Sequence, residues 1–256
     1  MAAMTRALLH DYFRSSAAYR VRIALNLKGV DYDRQPVNLV EGAQKSDAYR
    51  ALNPQGLVPM LEIDGLRLTQ SLAIAVYLDQ TIPEPPLMPR DPADGAHVRS
   101  LALSIACDIH PLNNLRVLKY LKGPMGLSEE QKDEWYRHWV TEGLAALEAM
   151  AAPRAGAFLF GDEPTLADVC LVPQLYNARR FSVPITAFPT LIGQPLEAER
   201  DPHPVGGRAA EIVVEDDCTH DVMLLRDGAQ VNARAFCHYA FRRHPPLHLP
   251  RGCARA

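Results

Sequence analysis

The sequence has little of what marks the specialised classes of protein. Only 2 of its 256 residues are tryptophan, 7% are aromatic, and the net charge of -3 provides no general attraction to nucleic acid or to an anionic membrane. No apolar run approaches the roughly 20 residues of a membrane-spanning helix. The apolar patch at 7–9 is too short for a secretory signal. The composition is that of an ordinary soluble globular protein.

Cysteine is also scarce. The five cysteines, at 107, 170, 218, 237 and 253, are odd in number and have no close pairs, which excludes a disulfide framework and a zinc-binding spacing. The nine histidines do not cluster with acidic residues, so we predict no metal site, and no glycine-rich phosphate loop is present. We expect a cytoplasmic protein in which Cys107 and Cys170, flanked by apolar residues, are buried and unreactive.

The first part of the chain alternates between strand and helix patterns. These patterns place a strand at 7–12, a helix at 16–28 ended by Gly29, a strand at 32–39 and a short helix at 46–52. Asp64-Gly65 between two apolar segments predicts a β-hairpin. A helix over 71–78 follows, with Ser71 as its predicted cap. The order β-α-β-α-β-β-α predicts a small α/β domain over 5–83.

A proline-rich segment at 83–92 predicts a linker, beyond which the strand patterns stop. Helical patterns cover 94–121, with a bend expected at Pro111, and 128–151. A third helix begins near Thr165 with a capping-box pattern. The sequence therefore predicts an all-helical second domain over 93–191.

The chain changes character after about residue 192. Residues 194–208 are rich in proline, glycine and charge, and the end from Arg234 onward holds no acidic residue. We expect 192–256 to be an atypical tail. A disordered tail, a lineage-specific extension and a change of reading frame all remain open interpretations.

Residues 11–25, Asp-Tyr-Phe-Arg-Ser-Ser-Ala-Ala-Tyr-Arg-Val-Arg-Ile-Ala-Leu, carry the strongest signal. Ser15 and Ser16 lie where a helix cap belongs, and a helix N-terminus stabilises an anion, including a thiolate. The stretch resembles the signature of the zeta class of glutathione transferases, the class that includes maleylacetoacetate isomerase. The resemblance extends from about residue 8 to 191. It implies a thioredoxin-like glutathione-binding domain followed by an all-α domain, the soluble glutathione transferase architecture, and a homodimer.

The resemblance assigns the start of the first helix to the glutathione sulfur. It implies Ser15 as the catalytic hydroxyl donor, with Ser16 in support and Ala17 and Arg20 among the glutathione contacts. Ala17 stands where the class usually has cysteine. Because the reacting thiol belongs to glutathione, this departure need not abolish turnover. Each serine taken alone is explained more simply as a helix cap.

Three further segments match glutathione-binding positions of the family. The resemblance implies a cis bond before Pro59, with the backbone of Val58 pairing with the cysteinyl part of glutathione. Gln70 and Ser71, which open a helix, suit the γ-glutamyl carboxylate. Gln44 is expected at the glycyl end.

The helical domain contributes two matching segments, one over 107–118 and one over 177–181. His110 and Asn114 are implied as contacts on the glutathione side. Arg14, Arg116 and Arg180 are implied as a cationic pocket for the two carboxylates of the substrate. Each of these arginines taken alone is explained more simply as a solvated surface charge.

The resemblance implies glutathione-dependent cis–trans isomerisation of maleylacetoacetate to fumarylacetoacetate, in tyrosine and phenylalanine catabolism. The reaction consists of thiolate addition to the double bond, rotation about the resulting single bond, and elimination. Maleylpyruvate isomerase and a general glutathione S-transferase are alternatives. A non-catalytic binding module with the same fold is an alternative of a different class.

Overall fold

The computed structural model describes residues 7–193, so the tail predicted over 192–256 lies outside it except for two residues. The first half of the described chain forms a four-stranded sheet in the order β2-β1-β3-β4. The strands are β1 (Ala7–Asp11), β2 (Tyr32–Pro36), β3 (Met60–Ile63) and β4 (Leu66–Thr69). Strand β1 is parallel to β2 and antiparallel to β3, and β3 pairs antiparallel with β4. Helices α1 (Ser16–Leu27), α2 (Asp47–Leu52) and α3 (Ser71–Thr81) connect and cover the sheet.

Two predicted turns are confirmed by their backbone geometry. The β3–β4 connection has positive φ at both Asp64 (52°) and Gly65 (74°), which is the requirement of a tight hairpin that follows the twist of its strands. Helix α1 ends at Leu27, and Gly29 (φ 64°) takes the left-handed position that closes it.

The rest of the described chain is helical, apart from turns and one isolated β-bridge, Ala155 with Gly161. It comprises α4 (Pro92–Leu103), a π-helical turn (Ser104–Ile109), α5 (His110–Asn113), α6 (Leu115–Lys122), α7 (Glu129–Ala151), α8 (Leu166–Arg180) and α9 (Pro189–Ile192). The predicted fold class, a thioredoxin-like unit followed by an all-α unit, is confirmed.

The helix predicted over 94–121 is interrupted, but its main break is not at Pro111. Pro111 lies in α5, which directly follows the π-helical turn Ser104–Ile109, so the helix is distorted next to it but the backbone stays helical through Asn113. The chain leaves the helical conformation at Asn114 (φ -66°, ψ 145°), whose side-chain oxygen accepts from the Arg116 N–H and caps α6. The break therefore falls at a residue whose side chain can accept a hydrogen bond from a free N–H at the start of the next helix.

The two units share a continuous apolar core. Buried residues of β1 and α1, such as Leu9 and Leu25, belong to the same cluster as Leu175 of α8. The linker is also fixed: the Leu166 N–H donates to the Leu87 carbonyl (2.8 Å), and the Leu87 N–H donates to Asp79 (2.7 Å). These contacts tie the start of α8 to α3 through the linker, and α8 itself packs against α1.

The two described cysteines differ from each other. Cys170 is buried as predicted, and burial raises the pKa of its thiol to about 11. The prediction for Cys107 was wrong, because this residue lies exposed on the π-helical turn. Within residues 7–193, no helix is long and apolar enough to cross a bilayer. That same part of the chain holds no cluster of three or more metal-ligating side chains.

Candidate functional site

The N-terminus of α1 provides several hydrogen-bond donors in one place. Ser15 is the N-cap, and its Oγ accepts from the Ala18 N–H (3.2 Å). Ser16 follows as the first helical residue and is buried. The N–H groups of Ser16 and Ala17 have no backbone acceptor among the described residues. The arrangement combines free N–H groups, two hydroxyls and the positive end of the helix dipole, which together can stabilise an anion.

A side chain of α8 connects this turn to the helical domain. The Nδ2 of Asn177 donates to the Ser16 Oγ, and the Oδ1 of Asn177 accepts from the Nη1 of Arg180 (3.3 Å). Arg180 also lies over the ring of Tyr176, with 5.9 Å from its Cζ to the ring centroid. The hydroxyl of Ser16 in the first unit and the guanidinium of Arg180 in the second unit therefore hydrogen-bond to the same amide, that of Asn177.

Arg20 is one turn further along α1 and only 2% exposed. Its Nη1 donates to the Ser71 Oγ (3.4 Å) at the start of α3, whereas its Nε and Nη2 have no hydrogen-bond partner among residues 7–193. Within the described part of the chain, Arg20 forms no ion pair with a carboxylate. A buried and incompletely paired guanidinium is costly, so this position is suited to an additional acceptor such as a bound carboxylate or water.

His110 and Asn114 are brought together by the break between α5 and α6. Asn114 uses its oxygen to cap α6, so its Nδ2 faces the Nε2 of His110 (3.2 Å). The imidazole consequently carries its proton on Nδ1, which has no partner. Burial lowers the pKa of His110 to about 3, with smaller contributions from the charges of Arg20 and Arg116. His110 is therefore a neutral N–H donor at physiological pH.

The loop before β3 is held in place by two side chains that donate to one of its carbonyl groups. Both Tyr49 Oη (2.8 Å) and Asn53 Nδ2 (2.7 Å) donate to the Leu57 carbonyl. The Val58–Pro59 bond is cis, and the Val58 backbone forms no backbone hydrogen bond within the described residues. An unpaired extended segment of this kind can accept an added strand.

Gln44 lies in a short 3₁₀ turn beside this loop, over Ala43–Lys45. Gly56 (φ 61°) makes the approach possible, since a Cβ on residue 56 would lie 2.9 Å from the Gln44 carbonyl. The Oε1 of Gln44 is buried without a partner. The Gln44 amide therefore has hydrogen-bonding capacity that the protein itself does not use.

The start of α3 differs from the prediction. Ser71 does not cap the helix; Gln70 occupies the N-cap position with φ 69° and makes no side-chain cap hydrogen bond. A non-glycine residue in this conformation is strained, and such strain is concentrated at functional sites. Gln70 instead donates through Nε2 to Gln55 (2.9 Å). The first N–H groups of α3 are thus left without a side-chain acceptor, next to the Ser71 hydroxyl.

The three arginines predicted to bind substrate carboxylates are all exposed. Arg14 precedes Ser15 and lies over the ring of Phe13, with 5.0 Å from its Cζ to the ring centroid. Arg116 is close enough to His110 to lower its pKa, and Arg180 contacts Asn177. None of the three forms a salt bridge with another described residue.

The structure links some of the predicted residues to one another through side-chain hydrogen bonds and leaves others apart. Two pairs are joined by direct hydrogen bonds, Arg20 with Ser71 and His110 with Asn114. Asn177 joins a third pair, Ser16 and Arg180. Among the described residues, Gln44 and Pro59 make no side-chain hydrogen bond to any of these pairs. Sequence reasoning missed Asn177, Asn53 and Gln55. The signal for Asn177 was present, because residues 177 and 180 are three apart and face the same way on a helix.

Comparisons with known proteins agree with this architecture. The family profile of the glutathione S-transferase N-terminal domain matches residues 14–81, and that of the C-terminal domain matches residues 131–201. The chain is 51% identical over 186 residues to the maleylacetoacetate isomerase of Rhizobium meliloti, covering 72% of this chain and 87% of that protein.

Two solved structures are similar over nearly the same part of the chain. One is the holo structure of a maleylpyruvate isomerase, described as a bacterial zeta-class glutathione transferase, with 45% identity, a TM-score of 0.70, and coverage of 72% of this chain and 87% of that one. The other is the maleylacetoacetate isomerase of Methylobacterium extorquens AM1 with bound malonate and glutathione. It has 42% identity, a TM-score of 0.69, and coverage of 72% and 87%.

Proposed function

The chain belongs to the zeta class of the glutathione S-transferase family, and from this membership we infer that it is a glutathione-dependent cis–trans isomerase. Its substrate is a small maleyl dicarboxylate, and the reaction that we propose is the conversion of maleylacetoacetate to fumarylacetoacetate. The observation that carries the proposal is the location of Arg14, Arg116 and Arg180. Arg14 directly precedes Ser15, Arg180 is linked to Ser16 through Asn177, and Arg116 is close to His110. All three are exposed, and none forms a salt bridge with another described residue.

The unused polar groups of the first domain fit the three parts of glutathione. We propose that the free N–H groups of α3, with Gln70 and Ser71, hold the γ-glutamyl carboxylate, and that Arg20 acts on it through the Ser71 hydroxyl. The unpaired backbone of Val58 beside Pro59 suits the cysteinyl part, and the unpartnered amide oxygen of Gln44 can accept from the N–H of the glycyl part.

The sulfur is placed at the N-terminus of α1 in this proposal. Glutathione, when bound, supplies the thiolate that adds to the double bond and leaves again after rotation. Ser15 and Ser16 donate their hydroxyl protons toward that sulfur, and the N–H groups of Ser16 and Ala17 add the charge of the helix end. The protein thereby lowers the pKa of the thiol and keeps it nucleophilic at neutral pH.

The substrate side depends on cations and on one neutral donor. Arg14, Arg116 and Arg180 hold the two carboxylates, for which planar guanidinium groups are well suited. Charge that develops on the ketone side of the double bond needs a hydrogen-bond donor as well. The Nδ1–H of His110, supported by Asn114, is available for this purpose or for a glutathione carboxylate.

Maleylpyruvate is the second candidate substrate, because the similar structure with a TM-score of 0.70 is a maleylpyruvate isomerase. Both substrates present two carboxylates and a maleyl double bond, so the same three arginines serve either. A general conjugating transferase would not need three unpaired cations around the site.

We also propose a homodimer in the cytoplasm, in agreement with the family resemblance and with the absence of a disulfide spacing in the sequence.

The direct test is glutathione-dependent isomerisation of maleylacetone and of maleylpyruvate, followed by ultraviolet absorbance. We expect Ser15→Ala to lower kcat/KM about 100-fold through the loss of a donor to the thiolate. We expect Arg180→Ala to raise KM about tenfold or more through the loss of a carboxylate contact. Two exposed positions away from the site, Ser100→Ala and Arg90→Ala, are matched controls. Glutathione binding without turnover of either substrate would contradict the isomerase and favour a binding module.

A further inference from the structure

Both ends of the Asn177 side chain are engaged, and they are engaged with different domains. Its Nδ2 donates to the hydroxyl of Ser16, at a sequence separation of 161 residues, and its Oδ1 accepts from the Nη1 of Arg180 (3.3 Å). Asn177 and Arg180 lie on α8, which packs along α1. Neither the sequence patterns nor the family resemblance assigned a role to this residue.

The contact with Ser16 determines where the serine proton can go. A hydroxyl has one proton and two lone pairs, and one lone pair of Ser16 is occupied by the Asn177 amide. The Ser16 hydroxyl finds no acceptor for its own proton among the described residues. Its O–H is therefore directed away from Asn177 and remains available to a third group, such as an anion at the α1 N-terminus.

The contact with Arg180 determines where a positive charge lies. The Arg180 side chain is exposed and makes no salt bridge with the described residues, so its hydrogen bond to Asn177 and its contact with Tyr176 hold its head group. A long side chain held in this way loses less conformational freedom when it binds a carboxylate. The same amide thus fixes the distance between a hydroxyl donor and a guanidinium.

We propose that Asn177 is a positioning residue for the isomerisation, which aims the Ser16 proton at the glutathione sulfur and holds Arg180 at the substrate carboxylate. The inference rests on the proposed function, because it assigns the two ends of the amide to the two reactants. It adds that the thiolate half and the carboxylate half of the site are joined by one side chain.

Two substitutions at this position separate positioning from mere packing. Asn177→Asp keeps the shape of the side chain, but a carboxylate accepts only. The aspartate would accept a hydrogen bond from the Ser16 hydroxyl, which then no longer points at the sulfur. It would also pair with Arg180 and place a negative charge beside the sulfur. Asn177→Ala removes both contacts and adds no charge. If Asn177 only filled space, the isosteric aspartate would be the milder change, whereas positioning predicts the opposite order.

The first readout is the pKa of the thiol of bound glutathione, measured by ultraviolet titration of the thiolate without any isomerase substrate. We expect the pKa to rise from wild type to Asn177→Ala to Asn177→Asp, with the aspartate variant at least about one unit above wild type. We expect kcat/KM at neutral pH to fall about tenfold in the alanine variant and about 100-fold in the aspartate variant. Asn26→Asp, the same change on the exposed face of α1, should alter neither quantity.

The second readout is a double-mutant cycle on the same thiol pKa. If Asn177 acts through Ser16, Ser16→Ala combined with Asn177→Ala should shift the pKa no further than Ser16→Ala alone. Additive shifts would overturn the inference, as would an aspartate variant with the thiol pKa of wild type. The alanine variant and the cycle still decide the matter if thermal unfolding shows that Asn177→Asp does not fold.

The thiol titration also separates this inference from the proposed function. A protein that binds glutathione and shows the predicted order of thiol pKa values, but isomerises neither substrate, would support the Ser16 contact and contradict the isomerase. A protein that isomerises, with the same thiol pKa in all three forms, would support the function and overturn the positioning role.

Discussion

Arg20 and Arg22 are both buried on α1 and lie two residues apart, but their surroundings differ. The Nη1 of Arg22 donates to both carboxylate oxygens of Asp11 (2.8 Å each), and Arg34 donates to the same carboxylate. Arg20 has only the hydroxyl of Ser71, and two of its nitrogens have no partner. One side of the helix buries a charge together with its counter-charge, whereas the other side buries a charge alone.

We interpret the paired Arg22 as a residue that stabilises the fold and the incompletely paired Arg20 as a residue that awaits a ligand. The Nη2 of Arg22 also donates to the Phe13 carbonyl (3.3 Å), so the paired cluster fixes the chain just before Ser15. Such a cluster has no hydrogen-bonding need for a ligand at its carboxylate. The unpaired Arg20 lies beside Ser71 and near His110, which is a second polar group with an unused donor. A protein retains an incompletely paired buried cation at a cost in stability, which is reasonable where a ligand supplies the counter-charge.

The largest expected effect is on the paired side. Asp11→Asn removes the counter-charge of the buried Arg22 guanidinium at a site where Asp11 is 1% exposed. Breaking a buried ion pair from one side lowers the free energy of unfolding by about 3–5 kcal/mol. Urea unfolding of Asp11→Asn beside the exposed control Asp31→Asn measures this loss. A loss no larger than that of the control would show that the cluster contributes little to the fold.

A matched pair of substitutions tests the contrast itself. Arg22→Met should strongly lower the free energy of unfolding, since it removes the buried one of the two guanidinium groups that pair with Asp11. Arg20→Met should change it by less than about 1 kcal/mol, because replacing a buried unpaired charge with an apolar chain is often neutral or stabilising. Arg20→Met should instead weaken glutathione binding about tenfold, or about 1.4 kcal/mol.

Calorimetric titration with glutathione and urea unfolding of both variants measure the two effects. Equal destabilisation by Arg20→Met and Arg22→Met, with unchanged glutathione affinity in both, would remove the functional distinction between the two arginines.

The buried His110, near Arg20, should also make the free energy of unfolding decrease in acid. The pKa of His110 is lowered from 6.5 to about 3 in the folded state, so between these values the unfolded chain binds more protons than the folded one. The contribution of His110 is therefore fully present above about pH 6.5 and declines as the pH falls toward 3. From pH 7 to about pH 5, wild type should lose about 2 kcal/mol more than His110→Gln.

Denaturant unfolding of both proteins at the two pH values measures this difference. Parallel losses in wild type and His110→Gln would mean that the histidine titrates normally in the folded protein.

The smallest effect is expected at Ala17, next to the serines. Ala17→Cys introduces the residue that the zeta class usually carries, at a partly exposed position on the first turn of α1. Because glutathione provides the reacting thiol, we expect kcat/KM for maleylacetone to change by less than about twofold. A change of about tenfold in either direction, with unaltered glutathione affinity, would mean that the side chain at 17 takes part in the reaction.

The sequence predicted the elements better than the contacts. The hairpin at Asp64-Gly65 and the end of α1 at Gly29 depend on residues whose backbone preferences are local, so they could be recognised directly. The misplaced cap at Ser71 and the break at Asn114 could not, because in both cases a neighbouring residue took the non-helical conformation. The exposure of Cys107 depends on how the π-helical turn is rotated against its neighbours, which apolar flanking residues do not reveal.

By itself, the sequence determined the order of strands and helices, the helix start at Ser15-Ser16 and, through its motifs, the family. These properties follow from hydrogen-bonding preferences within a few residues of chain. Only the tertiary structure decided that Arg20 is unpaired while Arg22 is paired, and that Asn177 joins Ser16 to Arg180. Pairing of this kind depends on which side chains meet when α1 packs against β1, α3 and α8. The local sequence patterns do not specify those contacts between distant segments.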